Sequence, residues 1–421
     1  MILPAYRLLS RGLAPVGAHV LKRRMRNGKE DPQRAGERMG HASVARPDGP
    51  LVWFHVASVG EAQSVLSLID RIVARRPDLN LLVTSGTVTS AALLSERLPE
   101  RAVHQFVPID LAAATRRFIA HWKPDLAIWI ESELWPNLID AMAMTGKPLA
   151  LINGRMSERS FGRWRFIPGA ARAILKPFSL ILAQSEEAAA RFRGLGADNV
   201  RAEGNLKYAA ELLPVDTDAV ARLTEAIADR PCWISASIHP GEDQITGSTH
   251  LALQDRFPGL LTIMIPRHPA RAKEMSAKLE ARGIAVMQRS QGDLPGHDTG
   301  VYIADTMGEL GLFYSLAAPV FVGGSLVPHG GQNVLEPARF GRCVLTGPHT
   351  ENFADVMTDM RRDDAVIEVE NGDELSAAIG RLLSHRDECV TLGNRARGVA
   401  NRQSAVLDRV LARLEPLMPR P

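Results

Sequence analysis

The chain has 421 residues, of which 45% are hydrophobic and 23% are charged. This length fits two domains better than one, since single domains usually hold about 100 to 200 residues, and the composition excludes a disordered or fibrous protein. Lysine and arginine (50) exceed aspartate and glutamate (47) by only three charges, which excludes a wholly basic nucleic-acid-binding protein.

The first segment, residues 1–30, is both basic and apolar. Seven cations precede its first acid, Glu30: Arg7, Arg11, Lys22, Arg23, Arg24, Arg26 and Lys29. Its longest uncharged run, residues 12–21, has ten residues, whereas crossing a bilayer takes about 20, and no secretory cleavage site follows. We expect a helix lying on the anionic cytoplasmic face of a membrane; a solvated capping helix is the alternative.

Residues 31–211 alternate short apolar runs with predicted helices. The runs lie at residues 51–56, 81–84, 126–130, 148–152 and 180–183, and helices are expected, for example, at 61–74 and 111–121. These runs are apolar at nearly every position, which is typical of parallel strands that helices cover on both faces. We therefore expect a doubly wound, Rossmann-like α/β domain.

A second parallel-sheet α/β domain is predicted for residues 212–421, after a break at Pro214. Its strands are expected at residues 233–236, 261–265, 301–304, 320–322 and 344–345. Open α/β sheets bind ligands at the carboxyl ends of their strands. Two such domains in tandem are therefore expected to face one another across a cleft.

Several charged residues of the first half follow predicted strands. Glu61 falls in the first turn of a helix, where it is either a site carboxylate or, with Ser58, part of a capping box. Glu131 and Glu133 leave a strand two residues apart and could shift each other's pKa in a shared site. Alternatively, Glu133 caps the next helix and Glu131 pairs with an arginine. Lys207 follows the last strand, and only its position supports a role.

Four arginines form a local cluster after the strand at 148–152, and they either bind a phosphate or carboxylate or are simply solvated. They are Arg155, Arg159, Arg163 and Arg165.

The second half contains a proline-flanked arginine and three glycine-containing turns. Arg267 follows Pro266, and the prolines restrict the loop, so an anion would meet a partly pre-organised guanidinium. The turns lie at residues 305–310, 321–325 and 330–337. Glycines allow a ligand to approach the backbone, and helix N-termini bind phosphate. Together these turns predict a nucleotide-binding face.

No pattern indicates a metal or a bound cofactor. The Asp-x-Asp motif at 216–218 falls in the linker and not at a strand end. The three cysteines, Cys232, Cys343 and Cys389, are far apart and lack metal-ligand spacing. No P-loop motif occurs. We expect a metal-free protein without a cofactor, in a reducing compartment.

Seven motifs occur together in the order of one known family. They are Ala57-Ser58-x-Gly60-Glu61, Glu131-x-Glu133-Leu-Trp-Pro-Asn, Ala183-Gln-Ser-Glu-Glu, Gly204-Asn-Leu-Lys207, Pro266-Arg-His-Pro, Asp305-Thr-Met-Gly-Glu-Leu and Phe321-Val-Gly-Gly-Ser. In this order they resemble the 3-deoxy-D-manno-octulosonic acid (Kdo) transferases of lipid A biosynthesis, from about residue 35 to about residue 400.

The resemblance implies a GT-B fold in which residues 31–211 bind the acceptor and residues 212–421 bind the nucleotide. It implies a CMP-Kdo donor, a lipid A precursor (lipid IVA) as acceptor, metal-independent transfer with inversion, and attachment to the cytoplasmic side of the inner membrane. By the same resemblance Glu61 would be the general base, while Glu131 and Lys207 would stabilise the transition state. The CMP contacts would be Pro266, Arg267, Met307, Gly308, Glu309, Asn333, Val334, Leu335 and Glu336.

Two other classes of protein remain open at the level of the sequence. A two-domain nucleotide-sugar epimerase would have a similar architecture and would act on its donor alone. A non-catalytic nucleotide-sugar-binding protein at the membrane would have no need of Glu61. The basic, apolar N-terminus disfavours the epimerase, and the presence of Glu61 together with the other motifs disfavours the non-catalytic protein.

Overall fold

The computed structural model describes Tyr6, Ser10, Gly12 and residues 14–208, 212–292 and 294–420. The chain forms two compact units. The first comprises Met1–Ala210 together with Gln403–Pro421, and the second comprises Glu211–Arg402. Each unit contains one parallel β-sheet.

Within residues 14–208, the sheet of the first unit has seven strands in the order β3-β2-β1-β4-β5-β6-β7. The strands are β1 (Leu51–His55), β2 (Asn80–Ser85), β3 (Ala102–Phe106), β4 (Leu126–Ile130), β5 (Leu149–Gly154), β6 (Leu180–Ala183) and β7 (Val200–Ala202). The helices are α1 (Ala14–Arg26), α2 (Ala35–Arg38), α3 (Val59–Arg75), α4 (Val88–Arg97), α5 (Ala112–Trp122), α6 (Pro136–Ala143), α7 (Glu158–Arg165), α8 (Pro168–Leu175) and α9 (Glu186–Gly194).

The first sheet is buried on both faces. Successive side chains of a strand point to opposite faces, so strands that are apolar throughout feed two separate cores. Trp53 and Trp129 lie in one apolar cluster with Phe118 of α5, whereas Phe54 lies in the other with Ile69 of α3. This double burial explains why β1 and β4 lack an alternating pattern.

Within residues 212–292 and 294–402, the second sheet has seven strands in the order β10-β11-β9-β8-β12-β13-β14. The strands are β8 (Cys232–Ile238), β9 (Leu261–Pro266), β10 (Val286–Gln288), β11 (Val301–Ile303), β12 (Val320–Val322), β13 (Val344–Thr346) and β14 (Val366–Glu368). The helices are α10 (Thr217–Ile227), α11 (Glu242–Gln254), α12 (Ala272–Glu280), α13 (Leu310–Tyr314), α14 (Leu335–Arg339), α15 (Ala354–Arg362), α16 (Gly372–Ser384) and α17 (Arg386–Ser404).

The two predicted parallel-sheet α/β domains are confirmed, and every strand predicted from the apolar runs is present. The sequence pattern did not predict β3, β7, β10 and β14, which are the edge strands of the two sheets. Edge strands are exposed along one side and contain more polar residues. They therefore lack the continuous apolar run that marks the central strands.

The last helix, α18 (Val406–Leu414), returns to the first unit. Its apolar residues join the cluster around Phe54, and Arg409 and Arg413 pair with the buried Glu203. The sequence prediction placed all of 212–421 in the second domain. The structure differs for residues 403–420 because the apolar stripe of α18 is buried against α3 and the first sheet.

The N-terminal helix α1 packs on the first unit along one side only. Leu21 is buried, and a Cβ at Gly17 would lie 3.2 Å from side-chain atoms of Ile109 and Leu111. Its other side exposes Val16 and Val20, by 54% and 49%. No helix within the described residues has both the length and the apolar composition needed to cross a membrane.

Candidate functional site

The carboxyl ends of β1 and β4 form the centre of the first site. These strands are neighbours in the sheet, but the chain continues from β1 towards β2 and from β4 towards β5, on opposite sides. Loops diverge at such a switch point and leave a crevice, which is where open α/β sheets bind ligands. Glu61 follows β1 and Glu131 follows β4, so the fold places both carboxylates at this point.

Glu61 lies in the first turn of α3. The Oγ atom of Ser58 accepts a hydrogen bond from the Glu61 N–H (3.3 Å), and the Ala57 N–H donates to Glu61 Oε2 (2.8 Å). The helix cap that the sequence suggested is therefore present. Burial, together with the charges of Glu131 and Glu133, nevertheless raises the pKa of Glu61 to about 7, against the hydrogen bonds that its carboxylate accepts from the Ala57 N–H and the Ser58 hydroxyl (3.2 Å). A carboxyl group with this pKa can exchange protons at neutral pH.

Glu131 pairs with Lys207 and not with an arginine. The Lys207 Nζ atom lies 2.8 Å from Glu131 Oε1. The backbone at Glu131 is left-handed (φ +60°), a conformation that non-glycine residues adopt mainly at constrained sites. Asn153, at the end of β5, is also left-handed (φ +53°), and its Oδ1 atom accepts from the Leu206 N–H (3.0 Å). Glu61, Glu131 and Lys207, far apart in sequence, thus lie at one edge of the sheet.

Glu133 does not cap the following helix, which is the alternative role that the sequence leaves open for it. Its Oε2 atom accepts a hydrogen bond from the Trp135 indole (2.7 Å). The N-terminus of α6 is instead capped by Asp110, which accepts from the N–H groups of Asn137 and Leu138 (3.2 and 2.9 Å). Asp110 gave no sequence signal, because it lies 27 residues before the first N–H group that it binds.

A cavity of about 450 Å³ lies beside Glu133, and neither Glu61 nor Glu131 lines it. Its lining includes Ser132, Glu133, Arg155, Ser160 and Trp164. The lining thus combines hydroxyl, carboxylate and guanidinium groups with the aromatic ring of Trp164. A lining of this kind can bind a polar ring such as a sugar. Arg155 is the member of the predicted arginine cluster that lines this cavity.

In the second unit, Arg267 and Glu336 lie near each other at the carboxyl edge of the sheet. Arg267 follows β9, its backbone N–H donates to the Ile238 carbonyl (3.0 Å), and its side chain is exposed. Glu336 is largely buried, which raises its pKa, while the amide of Asn333 and the charges of Arg339 and Arg267 lower it. Asn333 Nδ2 donates to Glu336 Oε1 (3.2 Å).

The remaining predicted donor contacts differ in what they can offer a ligand. Val334 and Leu335 are buried in the core, so only their backbone is available. Met307 is 79% exposed, and Gly308 has φ +82° with open space around it. The carboxylate of Glu309 is occupied by Arg289 (2.9 and 3.2 Å), and these hydrogen bonds lower the Glu309 pKa.

Three histidines that the sequence did not single out as site residues lie at the same edge of the second sheet. His239 stacks on His329, with ring centroids 4.3 Å apart, and lies 6.4 Å from the His268 ring. The amide of Gln332 contacts His239 Nε2 (3.0 Å). Burial lowers the pKa of His239, as do His329, His268 and Arg267. The cluster is therefore a polar surface with cationic neighbours beside the predicted donor residues.

Among the described residues, no group of three or more His, Cys, Asp or Glu side chains could hold a metal ion.

Comparison with known proteins places this architecture among GT-B-like folds. The chain resembles the UDP-GlcNAc 2-epimerase of Neisseria meningitidis, with a TM-score of 0.54, 12% identity and coverage of 86% of this chain and 100% of that one. It resembles MurG of Acinetobacter baumannii with a TM-score of 0.53, 11% identity and coverage of 87% and 100%. At these identities the likeness concerns the fold alone.

The family follows from sequence comparison. The family model "3-Deoxy-D-manno-octulosonic-acid transferase (kdotransferase)" matches residues 33–210. A 3-deoxy-D-manno-octulosonic acid transferase of Rickettsia bellii is 38% identical over 378 residues, 90% of each chain. One of Haemophilus influenzae is 35% identical over 399 residues, 92% of each chain. The chain belongs to the 3-deoxy-D-manno-octulosonic acid transferase family of glycosyltransferases.

Proposed function

We propose that this protein is an inverting glycosyltransferase that moves Kdo from CMP-Kdo to a lipid A precursor, lipid IVA, in lipopolysaccharide core biosynthesis. The observation that carries the proposal is the buried carboxyl group of Glu61, with a pKa of about 7, at the switch point between β1 and β4. Membership of the family identifies Kdo as the sugar that is transferred. The motifs described above supply the candidate residues for the donor.

Glu61 is assigned as the general base. An acceptor hydroxyl is a poor nucleophile at neutral pH, and a carboxylate that accepts its proton can contribute about 10² to 10⁴-fold to the rate. The hydroxyl oxygen then bonds to the anomeric carbon of Kdo while the bond from that carbon to the phosphate of CMP breaks. The proton stays on Glu61, CMP leaves with the bonding electron pair, and one displacement inverts the configuration.

Cationic side chains oppose the charge that develops on CMP. Lys207, oriented by Glu131, and Arg267 are assigned to this role, because a pre-positioned positive charge stabilises the negative charge that develops in the transition state. Glu336 is assigned to the ribose hydroxyls, and the backbone at 307–309 to the cytosine edge. These groups make the transfer independent of a metal or cofactor. In support, Asp216 of the Asp-x-Asp motif caps α10, accepting from Asp218 N–H and Ala219 N–H.

Transfer should proceed with CMP-Kdo and lipid IVA alone, and an excess of EDTA should leave the rate unchanged. The reason is that protein cations, and not a divalent ion, oppose the charge of the leaving CMP. Mass spectrometry of the lipid product detects the transfer and counts the Kdo residues added.

Loss of transfer in EDTA that magnesium or manganese restores would contradict the metal-independent mechanism. Conversion of the sugar nucleotide without any acceptor would favour the epimerase instead.

We also propose that the protein acts at the cytoplasmic side of the inner membrane, bound to an anionic lipid surface. Helix α1 supports this proposal because its exposed face carries Val16 and Val20 beside the exposed cations Lys22, Arg23 and Arg26. A helix of this kind lies in the interface, with its apolar residues in the acyl boundary and its cations at the head groups.

A second exposed patch supports membrane contact near the first site. Phe166 is 87% exposed and Ile167 is 49% exposed, in the turn between α7 and α8. Among the described residues none of the arginines at 159, 163 and 165 forms an ion pair, and no side chain of α7 is fully buried. An apolar tip surrounded by unpaired cations matches an anionic bilayer in both chemistry and charge.

The double substitution Phe166→Ser with Ile167→Ser should weaken binding to vesicles that contain phosphatidylglycerol by roughly tenfold or more. Burying one such side chain contributes about 1.5 to 3 kcal/mol. Vesicle sedimentation measures the change, and higher salt should release part of the wild-type protein. Transfer to detergent-dispersed acceptor should be retained.

The matched control is Met144→Ser, which removes another exposed apolar side chain (70% exposed), just beyond the end of α6. The control should bind vesicles like the wild type. If the double variant also does so, the membrane contact lies outside this patch.

A further inference from the structure

The carboxylate of Glu242 is the most extensively hydrogen-bonded acid at the carboxyl edge of the second sheet. Glu242 is the first residue of α11 and is fully buried. Its Oε2 atom accepts from the N–H groups of His239 (2.8 Å) and Gly324 (2.7 Å). Its Oε1 atom accepts from the N–H groups of Ser325 and Leu326, both at 3.0 Å. A buried carboxylate is costly unless its oxygens are satisfied, and here four backbone donors satisfy them.

These contacts determine the conformation of the turn that follows β12. The three consecutive N–H groups of residues 324–326 point at one carboxylate, with Gly324 at φ +69°. A Cβ at Gly323 would lie 2.8 Å from Glu242 Oε2 and 2.7 Å from the Cα atom of Ile238. Only glycine therefore fits this approach, and the carboxylate and the turn are built around each other.

This turn holds the loop that carries the predicted donor contacts. The carbonyl of Gly324 accepts from the Gly331 N–H (2.8 Å), and the carbonyl of Gly323 accepts from the Gln332 N–H (3.1 Å). Asn333 and Glu336 follow immediately along the chain. Two successive sets of hydrogen bonds thus connect Glu242 to these residues: those from Glu242 to the turn, and those from the turn to the loop.

Glu242 also fixes the backbone at His239, the first residue after the neighbouring strand β8. The His239 ring stacks on His329 and contacts the amide of Gln332 (3.0 Å). The same carboxylate therefore orients both loops that meet at this edge, the one after β8 and the one after β12.

We infer that Glu242 is a positioning residue for the nucleotide donor: it presets the 323–326 turn and, through it, the loop that bears Asn333 and Glu336. The inference rests on the proposed function, since it takes these residues as donor contacts. Glu242 itself is saturated by backbone donors and needs no contact with the donor. If a buried acid served stability alone, its replacement would lower the melting temperature without changing the affinity for CMP.

The test is Glu242→Gln, measured by calorimetric titration with CMP. The glutamine amide has one acceptor oxygen and one NH₂ donor, so two of the four N–H groups lose their acceptor and face another donor. The CMP dissociation constant and the KM for CMP-Kdo should rise together, by about tenfold or more. At saturating donor, kcat should change less than about threefold, because the base and the acceptor are untouched.

The matched control is Glu37→Gln in the first unit. Glu37 is 1% exposed and accepts hydrogen bonds from the Phe106 N–H (2.7 Å) and the Ser43 hydroxyl (2.6 Å), so it too is a buried carboxylate holding backbone in place. Its loss should lower the melting temperature without changing the affinity for CMP. If Glu242→Gln does not fold, Glu242→Asp keeps the charge but withdraws it by one methylene, and the same rise in dissociation constant is expected.

Unchanged CMP affinity in a folded Glu242 variant, or an equal loss of affinity in the Glu37 control, would overturn the inference and leave the proposed function intact. A wild-type protein that does not bind CMP at all would contradict the proposed function, and the inference with it.

Discussion

Replacing Glu61 by glutamine should reduce the rate of Kdo transfer by roughly 10²-fold or more. Glutamine is nearly isosteric and can still accept the Ala57 N–H through its remaining oxygen, but its amide cannot take a proton from the acceptor hydroxyl. Because the base acts on the acceptor and not on the donor, CMP binding should stay within about twofold of the wild type. Initial rates with lipid acceptor and a CMP titration measure the two quantities separately.

Ser58→Ala is the control that separates the base from the helix cap. It removes the Oγ atom that accepts from the Glu61 N–H and donates to Glu61 Oε1 (3.2 Å), but it keeps the Glu61 carboxylate and its bond from the Ala57 N–H. Loss of a cap costs about 1 kcal/mol of stability, so Ser58→Ala should be less stable yet retain most of its activity. A Glu61→Gln enzyme as active as Ser58→Ala would show that Glu61 only caps α3.

The pH dependence of the wild-type enzyme provides a second readout of Glu61. Since burial raises its pKa to about 7, the rate should increase as the pH rises through about 7 and then level off. The effect on stability has the opposite sign. Between the ordinary pKa of 4.5 and about 7 the folded state retains a proton that the unfolded state has released, so stability decreases as the pH rises. Glu61→Gln should therefore gain stability relative to the wild type between about pH 4 and about pH 8.

Replacing Arg267 by alanine should weaken CMP binding by roughly 10 to 100-fold, the range expected for hydrogen bonds to a charged group of about 1.5 to 3 kcal/mol. Within the described residues the Arg267 side chain forms no ion pair, so its charge is available to an anion. Lys207→Ala should instead lower kcat more than donor affinity, since Lys207 lies with Glu131 beside the base and is assigned to the transition state.

Lys273→Ala is the matched control for Arg267→Ala. Lys273 is an exposed cation of α12, six residues further along the chain, so its removal changes the net charge by the same amount. The control should titrate with CMP like the wild type. Equal titration curves for Arg267→Ala and the wild type would remove Arg267 from the donor site.

The central strands of both sheets could be predicted because each is buried on both faces and apolar throughout. The edge strand β3, by contrast, contains His104 and Gln105, and β7 has the exposed Arg201 in its centre. Such strands are defined by pairing with a neighbour and not by an apolar run of their own. The return of α18 could not be predicted either, because its apolar periodicity does not specify which sheet it covers.

The candidate site was predictable to the extent that it follows strand ends. Glu61, Glu131 and Lys207 each follow a strand, and the carboxyl ends of parallel strands share one edge; the roles assigned to them come from the family resemblance. The ion pair between Glu131 and Lys207 was not predictable, because the two residues are far apart in sequence and no local pattern signals the left-handed backbone at Glu131. The role of Glu242 is not predictable although it follows a strand and a glycine just as Glu61 does, because three of its four backbone donors lie 82 to 84 residues away.

The return of α18 means that the second unit is, in topological terms, an insertion into the first. Both of its boundaries, 210/211 and 402/403, join it to the same neighbouring unit. Residues 211–402 contain every predicted donor contact, whereas Glu61, Glu131 and Lys207 lie outside them. A chimera between two relatives therefore needs two junctions, and exchanging residues 211–402 should transfer nucleotide recognition. A single crossover near residue 211 would also replace α18, so that a helix from the other relative would pack on the apolar cluster around Phe54.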